Sequence, residues 1–142
     1  MNIFPKSRVL VPIDFSDLSL EAIKVGLEAV DSPSHLYVFH VLPYLNPGEP
    51  GVMWRSIDDK SRQKHVEEAF HKQFNGPEYE GINFSSAIGK PSAEIIDYAN
   101  DNKIELIVIP SHGRTGIGRF LLGSVAEQVV RHAHCPVLVL RK

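Results

Sequence analysis

The sequence predicts an α/β fold in which a parallel sheet is sandwiched between layers of helices, and three observations predict it. Short apolar runs without polar alternation recur five times along the chain, as expected of strands covered on both faces. Stretches with apolar residues at helical spacing separate them. Strand and helix therefore alternate throughout, which builds right-handed crossovers and a parallel sheet. No internal repeat or interdomain linker breaks the pattern, so residues 1–142 read as a single domain.

The first strand is Val9-Leu10-Val11-Pro12-Ile13, ending at Asp14. Ser16 or Asp17 then caps a helix carrying Leu20, Ile23, Leu27 and Val30 on one side, and Asp31-Ser32-Pro33-Ser34 stops it. Leu36 to Val41 is the second strand, followed by a Pro/Gly-rich loop from Pro43 to Gly51 that is expected to be the most mobile element. Met53 and Trp54, a little beyond it, are expected to pack against the domain. From Asp58 to Phe74 a polar stretch with Val66, Ala69, Phe70 and Phe74 at helical intervals reads as a helix with one apolar edge. Ile82 to Ile88 is the third strand, and Pro91 opens the helix that follows it. Ile104 to Ile109 is the fourth strand. Ser124 begins a helix running to Ala133, with Glu127 at capping-box spacing, and Pro136 to Leu140 is the fifth strand.

Composition narrows the function. Fifteen Lys and Arg stand against seventeen Asp and Glu, a net charge of −2, so there is no bulk positive field for a nucleic-acid backbone or an anionic membrane. Any anion must be caught by local geometry. The single cysteine, Cys135, excludes an intramolecular disulfide and a multi-thiolate metal site and suggests a reducing compartment. No stretch is apolar enough to span a bilayer and the N-terminus lacks a signal-peptide core, so the expected location is cytoplasmic. His132 and His134 do not share a helix face and suggest charge at a helix end rather than metal ligation.

Ligands of such sheets sit at the carboxyl ends of the strands, where the strand order reverses. The fourth strand ends in Pro110-Ser111-His112-Gly113-Arg114-Thr115-Gly116-Ile117-Gly118-Arg119-Phe120-Leu121-Leu122-Gly123-Ser124. Glycines that admit close backbone approach, followed by a helix N-terminus, are suited to phosphate. Two familiar phosphate patterns fail. Gly118 and Gly123 have P-loop spacing but Ser124 occupies the lysine position, and Gly116 and Gly118 begin a dinucleotide fingerprint whose third glycine is Leu121.

The segment instead resembles the universal stress protein family, whose ATP-binding members carry a glycine, two residues, a glycine, nine residues, and a glycine followed by Ser or Thr. Gly113, the nine residues Arg114 to Leu122, and Gly123-Ser124 match; Pro110 stands where the first glycine would be. The likeness extends over nearly the whole chain, through Val11-Pro12-Ile13-Asp14-Phe15-Ser16, His40-Val41, Gly89-Lys90-Pro91 and His134-Cys135-Pro136-Val137-Leu138-Val139. It implies a flavodoxin-like (adenine nucleotide alpha hydrolase-like) three-layer sandwich with a five-stranded parallel sheet of order 3-2-1-4-5. It also implies a homodimer formed by edge-to-edge pairing of the terminal strand, Pro136 to Leu140.

By the same resemblance Asp14 and Val41 lie beside the nucleoside, with Pro12 in the wall and the Val41 main chain meeting adenine. Gly113, Gly123, Ser124, Val125 and Ala126 surround the ribose and phosphates of ATP, with a divalent ion, Mg or Mn, held mainly by the phosphates. Ser124 would both cap its helix and donate to phosphate. Arg114 and Arg119 are added on charge grounds, since guanidinium pairs well with phosphate.

Proline at 110 has a fixed φ and no N–H. It weakens binding if the first glycine serves close approach, and is tolerated if that glycine only turns the chain. The expected function is an ATP-binding, homodimeric regulatory module in the stress response. The alternative is a dimeric interaction protein of the same family that binds no nucleotide. An enzyme is the third reading, but no nucleophile elbow or metal-binding histidine helix is present, leaving at most slow ATP hydrolysis.

Overall fold

The structure is a computed structural model describing residues 4–44, 59–112 and 122–141. Five parallel strands form one sheet, β1 (Val9–Ile13), β2 (Leu36–Leu42), β3 (Asn83–Ile88), β4 (Leu106–Pro110) and β5 (Val137–Leu140), in the order β3-β2-β1-β4-β5. Between them run α1 (Asp17–Glu28), α2 (Asp59–Gln73), α3 (Pro91–Asp101) and α4 (Ser124–His132), with short 3-10 turns at Pro33–His35 and Pro77–Tyr79. The expected fold class and strand order are both present.

The period of two along the strands sorts the side chains into two cores. Val9, Val11 and Ile13 of β1 meet Ala22 and Ile23 of α1 and Phe70 of α2 on one face. Leu10, Phe39, Ile107 and Ile109 meet Ile95 and Ala99 of α3 and Ala126 and Val129 of α4 on the other. β1 and β4 are buried along their whole length, which accounts for the unbroken apolar runs in the sequence. Phe70 anchors the first core by stacking on Phe84 and Phe74, ring centroids 4.6 and 5.0 Å away.

Element ends differ from expectation for identifiable reasons. β4 starts at Leu106 because the Ile104 N–H is bonded to the Ala99 carbonyl, 2.9 Å, in the turn closing α3. It extends to Pro110 because the Ser111 N–H reaches the Leu140 carbonyl at 2.7 Å and completes the pairing with β5. Ser16, not Asp17, caps α1, its Oγ accepting from the Ser19 N–H at 3.3 Å.

The cap of α4 is a correction. Gly123 is the N-cap and makes no side-chain bond, so Ser124 is the first helical residue and does not cap the helix. The capping box is absent too, because with Gly123 as the N-cap the third helical position is Ala126, which has no acceptor, and the Glu127 carboxylate pairs one turn on with Arg131 at 2.7 Å. Space explains the choice of residue: a Cβ on Gly123 would lie 3.0 Å from the Ser111 oxygen and 3.2 Å from the His112 Cα.

Candidate functional site

β1 and β4 are neighbours at the point where chain order reverses, and their hydrogen-bonded register stops short of their carboxyl ends. Their register runs only through Val9↔Leu106 and Leu10↔Ile107. Two prolines explain where it stops. In a sheet each residue directs its N–H and C=O to the same neighbouring strand, and successive residues alternate neighbours. The β1 register with β2 is continuous past Pro12↔Phe39 to Ile13↔His40, so Val11 and Ile13 serve β2 and the Pro12 nitrogen faces β4. Arg8, of the same parity, accepts from the Glu105 N–H at 2.8 Å. On β4, Ile107 donates to Pro136 at 3.0 Å and Ser111 to Leu140 at 2.7 Å, both toward β5, so the Pro110 nitrogen faces β1. The next two bonds of the ladder would come from positions 12 and 110, and proline has no hydrogen to give.

At the carboxyl ends of these strands lies a cavity of about 400 Å³. Pro12, Val41, Phe39, Ile95, Ile109 and Pro110 give it apolar walls. Asp14, His112 and Ser124 bring polar groups, and Gly123, Val125 and Ala126 bring the first turn of α4. The first helical bond recorded at that end runs from the Glu127 N–H to the Gly123 carbonyl at 2.8 Å. The N–H groups of Ser124, Val125 and Ala126 precede it, at the positive end of the helix, and no side chain of the N-cap reaches them.

Asp14 is held by the turn leaving β1. Its Oδ1 accepts from the Ser16 N–H at 3.0 Å, and its own N–H donates to the Ser19 Oγ at 3.4 Å. The turn forces Phe15 into the left-handed region, φ 63°, a strained place for a bulky residue. The Phe15 ring packs edge-to-face on His40, centroids 5.1 Å apart. The His40 Nδ1 lies 2.7 Å from the Ile13 carbonyl, and since a carbonyl only accepts, that nitrogen carries the proton. Behind the cavity wall Phe39 stacks on Tyr98 at 4.3 Å. Burial pushes the Tyr98 hydroxyl up from its ordinary value, a bond to Ser85 lowers it in part, and Tyr37 raises it further.

Of the residues singled out in the sequence, the structure brings Pro12, Asp14, Val41, Gly123, Ser124, Val125 and Ala126 to this one cavity. Gly113, Arg114 and Arg119 lie outside the described residues, as do Met53, Trp54 and the loop from residue 45. Sequence reasoning missed Ile13, Phe39, Pro91, Ile95 and Ile109 as lining residues. Two carried a usable signal: Phe39 precedes Val41 by two and shares its strand face, and Ile95 follows Pro91 by four and shares its helix face. Among the described residues no group of three or more His, Cys, Asp or Glu is placed to hold a metal ion. No helix among them is long and apolar enough to cross a membrane.

The comparisons with known proteins agree with this architecture. Residues 6–141 match the model of the "Universal stress protein family". The chain is 36% identical to universal stress protein MJ0531 of Methanocaldococcus jannaschii, covering 95% of this chain and 82% of that protein. It superposes on the universal stress protein UspA of Lactobacillus plantarum with a TM-score of 0.72 at 28% identity, covering 99% and 100% of the two chains. Two more distant solved structures share the fold and hold nucleotides. One is a universal stress protein in complex with cAMP, TM-score 0.60, 22% identity, covering 95% and 96%. The other is the universal stress protein of Archaeoglobus fulgidus in complex with dAMP, TM-score 0.56, 22% identity, covering 97% and 100%. With a family model spanning nearly its whole length and a relative above 30% identity, this chain belongs to the universal stress protein family.

Proposed function

We propose that the cavity binds an adenine nucleotide, ATP in the first instance, and that the protein works as a homodimeric regulatory module in the stress response. One observation carries the reading: an apolar cleft of about 400 Å³ opens directly onto the leading N–H groups of α4. A purine is flat and largely apolar, and a phosphate is an anion suited to a helix N-terminus. The cavity lining holds both kinds of surroundings a nucleotide needs, the apolar Pro12, Val41 and Ile95 and the Ser124 to Ala126 start of α4. Relatives solved with cAMP and dAMP support the ligand class.

A divalent ion, Mg or Mn, would be held by the phosphates themselves, since the carboxylates and imidazoles of the described residues do not gather into a cage. The dimer reading rests on β5, which stands last in the sheet order and pairs with β4. Leu138 on β5 is 40% exposed, and an exposed edge strand with such a residue is a surface that a second copy would cover. Native mass spectrometry of the purified protein, followed by calorimetric titration with ATP and magnesium, tests the reading. A dimer mass with micromolar binding is expected; no binding at millimolar ATP would overturn the nucleotide assignment.

A further inference from the structure

We infer that the Gln63 side chain closes the free edge of β3 to strand pairing and so confines strand-to-strand association of this sheet to β5. The inference is independent of the nucleotide reading. To the dimer reading it adds the reason why assembly would stop at a pair.

The sheet has two edges, β3 and β5. On β3 the outward groups follow from the register. Its pairing with β2 is continuous from Tyr37↔Asn83 to Leu42↔Ile88, and the Gly89 N–H just beyond it donates to the Leu42 carbonyl at 2.9 Å. Successive residues of a strand serve opposite neighbours, so Asn83, Ser85 and Ala87 serve β2 as Gly89 does. Phe84, Ser86 and Ile88 direct their N–H and C=O away from the sheet, where another strand could pair.

Such an edge is usually guarded by charge, proline or a bulge. β3 reads Asn83-Phe84-Ser85-Ser86-Ala87-Ile88, with no charged residue and no proline, each residue half-buried. Its register with β2 carries no bulge. Among the described residues the guard comes from α2 instead. The Gln63 Nε2 donates to the Ser86 carbonyl at 3.0 Å, the middle one of the outward carbonyls. Next to it, Arg62 donates from Nη2 to the Pro43 carbonyl at 2.8 Å, just past β2. These two bonds hold the start of α2 over the carboxyl ends of β2 and β3, while Phe70, the buried residue of α2, anchors its other half. A carboxamide presents the same N–H donor as a main-chain amide, so Gln63 takes the Ser86 carbonyl as a neighbouring strand would.

The consequence is one of symmetry. A copy with both edges open adds a partner at each and builds an open-ended sheet, whereas a copy with one open edge stops at a symmetric pair. With Ser86 occupied, β5 is the edge left for a second copy.

The test is the mass in solution of Gln63→Ala and Gln63→Met beside wild type, by size-exclusion chromatography with light scattering from micromolar to millimolar protein. Both substitutions remove the donor and are good helix formers, and methionine also keeps the side-chain length. Both variants are expected to show concentration-dependent species at multiples of the wild-type mass, with unchanged circular dichroism when dilute. Ser86→Pro is the companion substitution. Position 86 directs its N–H outward, so proline there leaves the ladder with β2 whole and blocks the edge. Added to Gln63→Ala, it should return the mass to that of wild type. Variants that keep the wild-type mass throughout overturn the inference. So do multiples that persist with Ser86→Pro, which place the new contact elsewhere than β3. A wild type of monomer mass overturns the dimer reading alone, since multiples of that mass in the variants would still report the opening of β3.

Discussion

The N–H of Gly123 donates to the carbonyl of Ser111 at 2.6 Å, tying the entrance of α4 to the end of β4. The bond occupies the Gly123 N–H, so the N–H groups that α4 presents to the cavity are those of Ser124, Val125 and Ala126. It also explains why the cap is glycine: the backbone angles, φ −62° and ψ 154°, suit any residue, but a Cβ would press on Ser111 and His112 main chain at 3.0 and 3.2 Å.

Gly123→Ala should therefore act on the protein itself before it acts on a ligand. Forcing the two backbones apart is expected to cost about 1–3 kcal/mol, read as a fall in melting temperature of several degrees. Nucleotide affinity should fall in parallel because the N–H groups of α4 move. Gly123→Val, which the motif alone suggests would block the ligand's approach, should be the more destabilised of the two. An unchanged melting temperature for both would show that the β4 end yields freely.

Ser124 and Ser16 stand at the starts of two helices and should respond in opposite ways. Ser16 caps α1 through its Oγ, so Ser16→Ala is expected to cost about 1 kcal/mol. Ser124 is exposed at the first position of α4 with Gly123 as its cap. Ser124→Ala should leave stability within about 0.5 kcal/mol and lower nucleotide affinity through the lost hydroxyl donor. Chemical denaturation and titration of the two variants side by side decide it; a large stability loss in Ser124→Ala would mean the hydroxyl supports the helix after all.

The contrast between these serines shows what the sequence made legible. Strands were readable because β1 and β4 are buried on both faces and so carry no polar residue to blur the signal. The site was readable where it depends on chain order: the ends of β1 and β4 and the start of α4 follow from topology alone. The cap of α4 was misread because Ser124 and Glu127 satisfy a local pattern, whereas the deciding contact, Gly123 to Ser111, is tertiary. Ile109 and Phe39 were missed as cavity walls because nothing local separates them from core; both are also buried in the second cluster. The prolines were visible, but their shared consequence was not. It appears only when the register shows both nitrogens facing the same gap.

Alkaline pH should destabilise the fold through two groups that hold their protons more tightly when folded. Burial raises Tyr98 above its ordinary 10.0, with Ser85 opposing and Tyr37 adding, and burial raises Cys135 above 9.0. For a group raised in the folded state, the contribution is complete below the unfolded value and lost as pH climbs through the folded one. Denaturant midpoints should hold steady to about pH 9 and fall toward about pH 11. Tyr98→Phe keeps the ring stacked on Phe39 and should show a smaller fall. Cys135, half-buried beside the second core, should also alkylate more slowly than a free thiol at neutral pH. An alkaline profile in Tyr98→Phe identical to wild type would remove the tyrosine from the account.

Asp14 offers a test that separates folding from binding, because its role in the turn and the role proposed for it toward a nucleoside use different properties of the carboxylate. Toward the turn it supplies an acceptor oxygen, which takes the Ser16 N–H at 3.0 Å. Toward the proposed nucleoside, at the cavity wall, the negative charge would add to each bond it accepts. Asp14→Asn keeps an acceptor oxygen and removes the charge, so stability should change by less than about 1 kcal/mol while nucleotide affinity falls by about tenfold. Asp14→Ala removes both and should also loosen the turn that holds Phe15 at positive φ, lowering the melting temperature as well. Calorimetric titration and thermal unfolding of both variants supply the four values needed. Undiminished binding by Asp14→Asn would take the charge of Asp14 out of nucleoside recognition and leave it a residue of the β1 turn.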